Sequence, residues 1–133
     1  NNLKVSDVIL KLDEIPVLRT NEMVKQALEK MSALKLGVVC VVDSSNLLKG
    51  VFTDGDVRRL LLNDQKLLSA IFVDDIIVHA NHNPLIIEEN VTLKNALKII
   101  EEKRVWDVPV VDKNKKLIGL LHMHRIIKKI LKA

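Results

Sequence analysis

The ten residues from Gly50 to Arg59 read GVFTDGDVRR, and this stretch decides the fold of the chain. Apolar, β-forming residues lead into the turn Thr53-Asp-Gly-Asp56, and apolar residues at helical spacing follow it. The pattern therefore predicts a strand that ends where a helix begins. Helix N-termini carry unpaired N–H groups and partial positive charge, so the turn suits a polar or anionic ligand.

The side chains of this turn allow two interpretations. Glycine lets a ligand approach the backbone closely, and the two arginines add cationic groups that bind phosphate or carboxylate. A hydroxyl cap on an ordinary helix with solvated arginines accounts for the same residues, so both interpretations stay open here. The candidate ligand-binding residues at the turn are Thr53, Asp54, Gly55, Asp56, Arg58 and Arg59.

Much of the chain is an internal repeat. Eight residues recur 69 positions later without a gap, from Asn21 (as Asn90) to Gly50 (as Gly119), and residues near the start recur at a spacing of 68. We therefore predict a first copy over residues 1–62, a connector over 63–71 and a second copy over 72–133.

Each copy predicts the order strand, helix, strand, strand, helix, with a short helix in front. Asn21 and Asn90 stand where helix N-caps are expected, and the polar turns after Val42 and Val111 predict hairpins. The fold class is therefore mixed α/β (α+β), with two β-α-β-β-α copies packed about a pseudo-twofold axis and clefts between them. The predicted final helices are Asp56–Leu62 and Met123–Leu131.

Composition and net charge argue for a folded domain and against nucleic-acid binding. The chain has 133 residues, 48% of them apolar, which is enough for a packed core. The net charge is +4, but three lysines lie at the C-terminal end of the last predicted helix, where they favour the helix dipole, and stacking aromatics are scarce. We therefore expect no nucleic-acid binding.

The single Cys40 lies inside an apolar run, so we expect a buried thiol in a reducing compartment. No apolar run approaches the ~20 residues that a membrane span requires, so we expect a cytoplasmic protein without membrane contact. Because the chain begins at Asn1 rather than Met, we expect a fragment of a longer protein.

With its two copies, the chain resembles a tandem CBS domain pair, also called a Bateman module. In that family a Gly-hydrophobic-x-Thr/Ser-x-x-Asp segment lines a nucleotide site, and Gly50, Thr53 and Asp56 match it. The resemblance implies that the hydroxyl of Thr53 faces phosphate and that Asp56 faces the ribose hydroxyls. It also implies a homodimer formed through CBS surfaces.

The second copy departs from that pattern. It has His122 where the hydroxyl belongs and Arg125 where the acid belongs, which predicts selectivity for an anion. In the family, the loop that contains Trp106 borders the base pocket, so the resemblance implies that the indole stacks on a base. A position at the dimer surface or the core edge is the alternative for Trp106. The candidate residues of the second site are Trp106, Asp107, His122, His124 and Arg125.

Three segments look like the regulatory half of bacterial arabinose 5-phosphate isomerases: Val5–Ile9 with Asp13–Pro16, the TDGDVRR run, and the His122-Met-His124 segment. The resemblance implies a regulatory pair in Kdo precursor synthesis for lipopolysaccharide or capsule. It implies that the pair senses an adenosine nucleotide or a nucleotide-sugar such as CMP-Kdo, requires no cofactor, and belongs with an N-terminal sugar-isomerase (SIS) domain outside this chain.

Several alternatives stay open. The pair could belong to a sugar-nucleotide transferase, or serve only to hold an oligomer together around a vestigial cleft. Asp54 and Asp56 could be read as a catalytic pair, but the repeat supplies no equivalent acids, so we expect no catalysis in this chain. A metal site would use His122 and His124, approached by His79 and His82, but ordinary polar histidines are the expected interpretation.

Overall fold

A computed structural model describes residues 3–63 and 65–132. The chain divides into two compact units, Asp13–Pro84 and the combination of Asn1–Leu12 with Leu85–Ala133. We call them the first-repeat unit and the second-repeat unit. In the described part of the chain, no helix is both long and apolar enough to span a lipid bilayer.

The elements follow the predicted order in both copies, with two additions that were not predicted: a short strand at Leu10–Lys11 and a helix at Leu68–Phe72, most of which lies in the predicted connector. The strands are β1 (Leu10–Lys11), β2 (Val17–Arg19), β3 (Val38–Val42), β4 (Leu48–Thr53), β5 (Ile87–Glu88), β6 (Asp107–Val111) and β7 (Leu117–His122). The helices are α1 (Val24–Leu34), α2 (Asp54–Asn63), α3 (Leu68–Phe72), α4 (Ile76–His79), α5 (Leu93–Lys103) and α6 (Met123–Lys132). Short 3-10 turns cover Val5–Asp7 and Leu12–Glu14.

The first-repeat unit contains a sheet in the order β2-β3-β4, with a parallel and then an antiparallel pair. All five residues of β3 are buried, including Cys40, as its uninterrupted apolar run predicts. Phe52 and Leu18 pack in this core with the buried α1 residues Val24, Ala27 and Met31.

The second-repeat unit contains a sheet in the order β1-β7-β6-β5. Its core is aliphatic, with Val108, Val110, Leu121 and Ile126 buried. The prediction of a mixed α/β fold built from two repeated units is therefore confirmed.

The leading segment of each copy packs in the unit of the other copy. Residues 3–12 belong to the second-repeat unit, where Val5 N donates to the carbonyl of Val91 (2.9 Å) and β1 pairs with β7. Asn81 likewise pairs with Val51 of the first-repeat unit through bonds of 2.7 and 3.0 Å. The predicted boundaries 1–62, 63–71 and 72–133 remain a prediction about sequence copies, and their residues 1, 2, 64 and 133 lie outside the described residues.

The two repeated glycines make this exchange possible. A Cβ on Gly119 would lie 2.3 Å from the carbonyl oxygen of Leu10, and one on Gly50 would lie 2.7 Å from that of Asn81. Any side chain there would push the incoming backbone away from the sheet. Each glycine therefore permits the close approach of a backbone segment to its strand.

The predicted N-caps at Asn21 and Asn90 were wrong. The caps are Met23 and Thr92, two residues later. The reason is tertiary: the backbone of Met23 forms a bridge with Asp75 and that of Thr92 with Lys4, so the chain stays extended until those residues. Thr92 Oγ1 then accepts from the N–H of the third helical residue at 3.2 Å.

The predicted hairpin turns are confirmed. Asp43 Oδ1 accepts the N–H groups of Leu47 (3.0 Å) and Ser45 (2.8 Å), and Asp112 makes the equivalent bonds. The Leu47 N–H is the main cause that lowers the pKa of Asp43 below its ordinary value. Asn46 and Lys115 take left-handed conformations with φ of 66° and 68°, which closes each turn.

Candidate functional site

The first-repeat turn is a reciprocal helix cap. β4 ends at Thr53 and α2 begins at Asp54, two residues before the predicted start. Thr53 N donates to Asp56 Oδ2 at 2.8 Å, and Asp56 N donates back to Thr53 Oγ1 at 3.3 Å. The structure therefore contains the hydroxyl cap that one of the two interpretations of the sequence predicted.

Asp56 is the main buried charge of this site, with 6% of its surface exposed. Its Oδ2 atom accepts from both the N–H and the hydroxyl of Thr53, and its Oδ1 atom pairs with the Arg59 guanidinium. A carboxylate oxygen can accept two hydrogen bonds, so one acceptor position remains, on Oδ1. The Arg59 side chain is 60% exposed, so this ion pair has its cationic end in solvent.

The neighbouring residues have different surroundings. A Cβ on Gly37 would lie 2.4 Å from Asp54 Oδ2, so the Asp54 carboxylate covers that glycine, and Asp54 N donates to the Gly37 carbonyl at 3.0 Å. Gly55 is exposed, and a Cβ there would lie 3.5 Å from Thr53 Oγ1, an ordinary contact. A side chain at position 37 would therefore have to displace the Asp54 carboxylate, whereas one at position 55 would meet no close neighbour within the chain. Arg58 is also exposed.

The second-repeat site brings four predicted residues together. His122 Nδ1 pairs with the Asp107 carboxylate, and the two residues face each other in the β6–β7 register. The Trp106 and His124 rings are stacked with centroids 5.9 Å apart, and the His122 and His124 rings are 5.7 Å apart. Trp106 is 60% exposed, while His122 and Asp107 are each about one-fifth exposed at the side chain.

Arg125 occupies the helix position of Asp56 but cannot repeat its role. A guanidinium has no acceptor, so it cannot bind the N–H of His122 as Asp56 binds that of Thr53. The acid of the second unit is instead Asp107, whose repeat equivalent is Val38. Arg125 is half-buried.

Two of these pairings were missed from the sequence. The spacing of Asp56 and Arg59 places them on one helix face and could have revealed their ion pair. The pairing of Asp107 with His122 depends on strand register across a 15-residue separation. From the sequence, this register could have been predicted only from the length of the hairpin turn together with the repeat.

Two histidines named for a metal site have other partners. His79 Nε2 lies 2.8 Å from Asp74 Oδ2, and His82 Nε2 lies 2.7 Å from the carbonyl of Ile77. The His79 contact is the main cause that lowers the pKa of Asp74, followed by that of Lys66. Within the described residues, no cluster of three or more potential ligands can hold a metal ion.

The two turns follow equivalent strands in a repeated fold, and comparison with known proteins identifies that fold. The CBS domain family matches residues 5–63 and 73–132. The chain belongs to the CBS domain family. The crystal structure of CBSX2 in complex with AMP superposes with a TM-score of 0.85, 27% identity, and coverage of 98% of this chain and 97% of that chain. The prediction of a tandem CBS pair is confirmed.

Longer relatives contain the same module. An uncharacterized protein of Chlamydia pneumoniae (CPj0526/CpB0547) is 35% identical over 130 residues, covering 96% of this chain and 39% of the relative. Arabinose 5-phosphate isomerase KdsD of Francisella tularensis is 29% identical over 130 residues, covering 95% of this chain and 37% of the isomerase. The chain thus spans about two-fifths of the length of these curated relatives.

Proposed function

We propose that this CBS pair is a regulatory module that binds an adenosine-type nucleotide at the Thr53–Asp56 turn. The observation that carries the proposal is a buried carboxylate that keeps one acceptor position beside a glycine that internal packing does not require. The bound AMP of CBSX2, a protein 27% identical over nearly the whole chain, supports the ligand class.

Gly55 supplies the access in this proposal. The glycine is exposed, and it lies in the first turn of α2, where backbone N–H groups lack helical partners. No neighbour within the chain excludes a side chain at this position. In this proposal glycine is needed because a side chain would block the approach of the ligand to the backbone.

Arg59 has two positions in the bound and free states. In the free protein it pairs with Asp56 Oδ1. A ribose hydroxyl donates to the acceptor position that remains on this atom, and the guanidinium, whose side chain is 60% exposed, turns to bind the nucleotide phosphate. Arg59 thereby exchanges a carboxylate for a phosphate, both of which suit its planar donor fork.

Calorimetry with AMP and adenosine tests this exchange. Arg59→Ala should weaken AMP roughly tenfold and leave adenosine unchanged, because adenosine has no phosphate for the guanidinium to bind. Gly55→Ala should weaken both ligands roughly tenfold without lowering the unfolding midpoint. Lys30→Ala, which removes an exposed cation of α1 outside both candidate sites, is the control for the loss of a positive charge. If no nucleoside or nucleotide binds the folded wild-type chain, the proposal fails and the structural-module alternative stands.

The finer proposal is that the pair regulates an arabinose 5-phosphate isomerase. Relatives named KdsD from Francisella tularensis, Yersinia pestis and Pseudomonas aeruginosa are 28–30% identical over this module. Uncharacterized proteins are at least as similar, so the parent enzyme needs its own test. The parent would carry the isomerase (SIS) domain, form a homodimer through CBS surfaces and act in Kdo synthesis.

A thermal-shift series separates the regulatory ligands. A ligand that binds only the folded state raises the unfolding midpoint. In a series of AMP, ADP, ATP, CMP, CTP and CMP-Kdo, the isomerase assignment predicts a shift with CMP-Kdo. A response to adenosine ligands but not to CMP-Kdo would keep the nucleotide proposal and leave a different parent, including a sugar-nucleotide transferase, as the better choice.

A second candidate function rests on the second-repeat site. His122 and Arg125 replace the hydroxyl and the acid of the first unit, so we propose that this site selects an anionic group. The His122–Asp107 pair orients the imidazole, because Nδ1 donates its proton to the carboxylate and the other ring nitrogen is left for a ligand.

A further inference from the structure

A polar pocket of about 380 Å³ lies in the second-repeat unit, where the segment before β1, the end of β5 and the β6–β7 hairpin turn meet. β6 runs from Asp107 to Val111, so this pocket and the His122–Asp107 pair lie at opposite ends of the strand. The charged residues in its lining are Lys4, Glu88, Glu89, Asp112 and Lys113.

The five charged side chains of this pocket are not neutralised by one another. Within the described ranges 3–63 and 65–132, none of them takes part in an ion pair. Glu89 and Asp112 are half-buried, whereas both lysines are exposed. A ligand that enters the pocket therefore meets lysine ammonium groups at the rim and carboxylates further in.

Asp112 has one carboxylate oxygen left for a ligand. Its Oδ1 atom accepts the N–H groups of Asn114 at 2.8 Å and of Lys116 at 3.0 Å. These two bonds hold the hairpin turn and use both acceptor positions of that oxygen. The Oδ2 atom is therefore the acceptor that remains.

The first copy shows what the remaining oxygen of this turn can bind. Asp43 makes the same two turn bonds through Oδ1, and its Oδ2 atom lies 3.9 Å from the Lys49 ammonium. The repeat equivalent of Lys49 is Ile118, which carries no charge. The second copy has thus lost the internal ammonium at this turn, and that position is left for the ammonium of a ligand.

The two lysines supply the opposite charge. Their repeat equivalents are Phe72 for Lys4, at the spacing of 68, and Ser44 for Lys113, at the spacing of 69. Both cations therefore belong to the second copy alone, and the backbone of the fold does not require them. Two ammonium groups on flexible stems suit a dianion such as a phosphate monoester.

We propose that this pocket binds a small aminoalkyl phosphate, with its ammonium on Asp112 and Glu89 and its phosphate on Lys4 and Lys113. The pocket shares no residue with the Thr53–Asp56 turn. Failure of the adenosine proposal and failure of this one are therefore separate results.

O-phosphoethanolamine is the probe, and the backbone amide signals of a proton–nitrogen correlation spectrum at low salt are the readout. The signals of Lys113 and Asn114 should shift saturably, whereas those of Thr53 and His122 should not. Ethanolamine and inorganic phosphate each lack one of the two charged groups. Each should require roughly tenfold higher concentrations to shift the same signals.

Charge-removing variants test the two halves of the pocket. Asp112→Asn keeps the Oδ1 acceptor that the turn needs and removes the charge, and Lys113→Ala removes one cation. Each should weaken O-phosphoethanolamine roughly tenfold. Asp43→Asn, the matched change in the first copy, and Lys116→Ala, which removes a cation of the same hairpin outside the pocket, should leave the affinity unchanged.

The same titrations contain the outcomes that overturn the proposal. One is the absence of a saturable shift at Lys113 and Asn114 in the folded wild type. Another is equal affinity for inorganic phosphate and O-phosphoethanolamine, or for wild type and Asp112→Asn, because the carboxylates would then have no part in binding. A shift confined to His122 and Arg125 would place the phosphate at the other end of β6 and would also overturn it.

Discussion

The two units place different chemistry at the same backbone turn. In the first-repeat unit Thr53 and Asp56 cap α2, and Arg59 neutralises the buried acid. In the second-repeat unit the acid lies on the neighbouring strand β6, where the Asp107 carboxylate pairs with His122 Nδ1. The Thr–Asp cap is therefore present in one copy, and a His–Asp pair takes its place in the other. Repetition preserves the backbone path, while the side chains at the turn are free to diverge toward different ligands.

The largest expected effect tests whether both units depend on the exchanged segment. Gly119→Ala should destabilise the chain by about 1 to 3 kcal/mol, because the new methyl group meets the Leu10 carbonyl and the Ile9 side chain. Gly50→Ala should cost less, since its contact with Asn81 is longer. Urea unfolding measures both, with Gly55→Ala as the control without such a contact. Equal stability of all three variants would contradict the exchange.

The next effect compares the two helix starts. Asp56→Ala removes the reciprocal cap and leaves Arg59 without its partner, so we expect a loss of about 1 to 2 kcal/mol. Arg125→Ala at the equivalent position removes no such cap and should cost less. Thermal unfolding measures the difference. A nucleotide titration of the Asp56 variant must therefore be done well below its unfolding midpoint, so that lost affinity is not confused with lost stability.

Acid should lower the stability of the first-repeat unit more than that of the second-repeat unit. His79 and Lys66 lower the pKa of Asp74, so the charged form stabilises the folded state at neutral pH. That contribution is present above the ordinary pKa and is lost as the pH falls below about 4. The repeat equivalents of Asp74 and His79 are Ser6 and Lys11, which cannot form this pair.

Asp74→Asn makes the acid effect measurable. The variant should be less stable than wild type at neutral pH, and the difference should shrink toward pH 3. Unfolding midpoints across this range give the result. A difference that does not change with pH would show that the Asp74 carboxylate contributes no charge-dependent stability.

The smallest expected effect concerns ligand selectivity in the second-repeat unit. An anion that binds beside His122 and Arg125 should lose affinity when either side chain is removed. Inorganic phosphate, titrated by calorimetry, is a suitable probe. His122→Gln and Arg125→Ala should each weaken phosphate roughly tenfold. Unchanged binding in both variants would place the anion elsewhere.

The repeat explains how much could be predicted from the sequence. The strand pairs around Val38–Val42 and Leu117–His122 were predictable because buried strands read as continuous apolar runs bounded by turn residues. The N-caps were not, because the bridges of Met23 to Asp75 and of Thr92 to Lys4 connect residues far apart in the chain. Local preference for asparagine at a cap was overridden by these long-range contacts.

The sequence by itself determined the two copies, their element order and the residue types at each turn, since periodicity and turn chemistry are local properties. Only the tertiary structure decided which partners those residues take. It packs residues 3–12 with the second copy, pairs Asp56 with Arg59, and places Asp107 opposite His122. Strand register and close backbone approach at Gly50 and Gly119 set these pairings, and both arise only when distant segments meet.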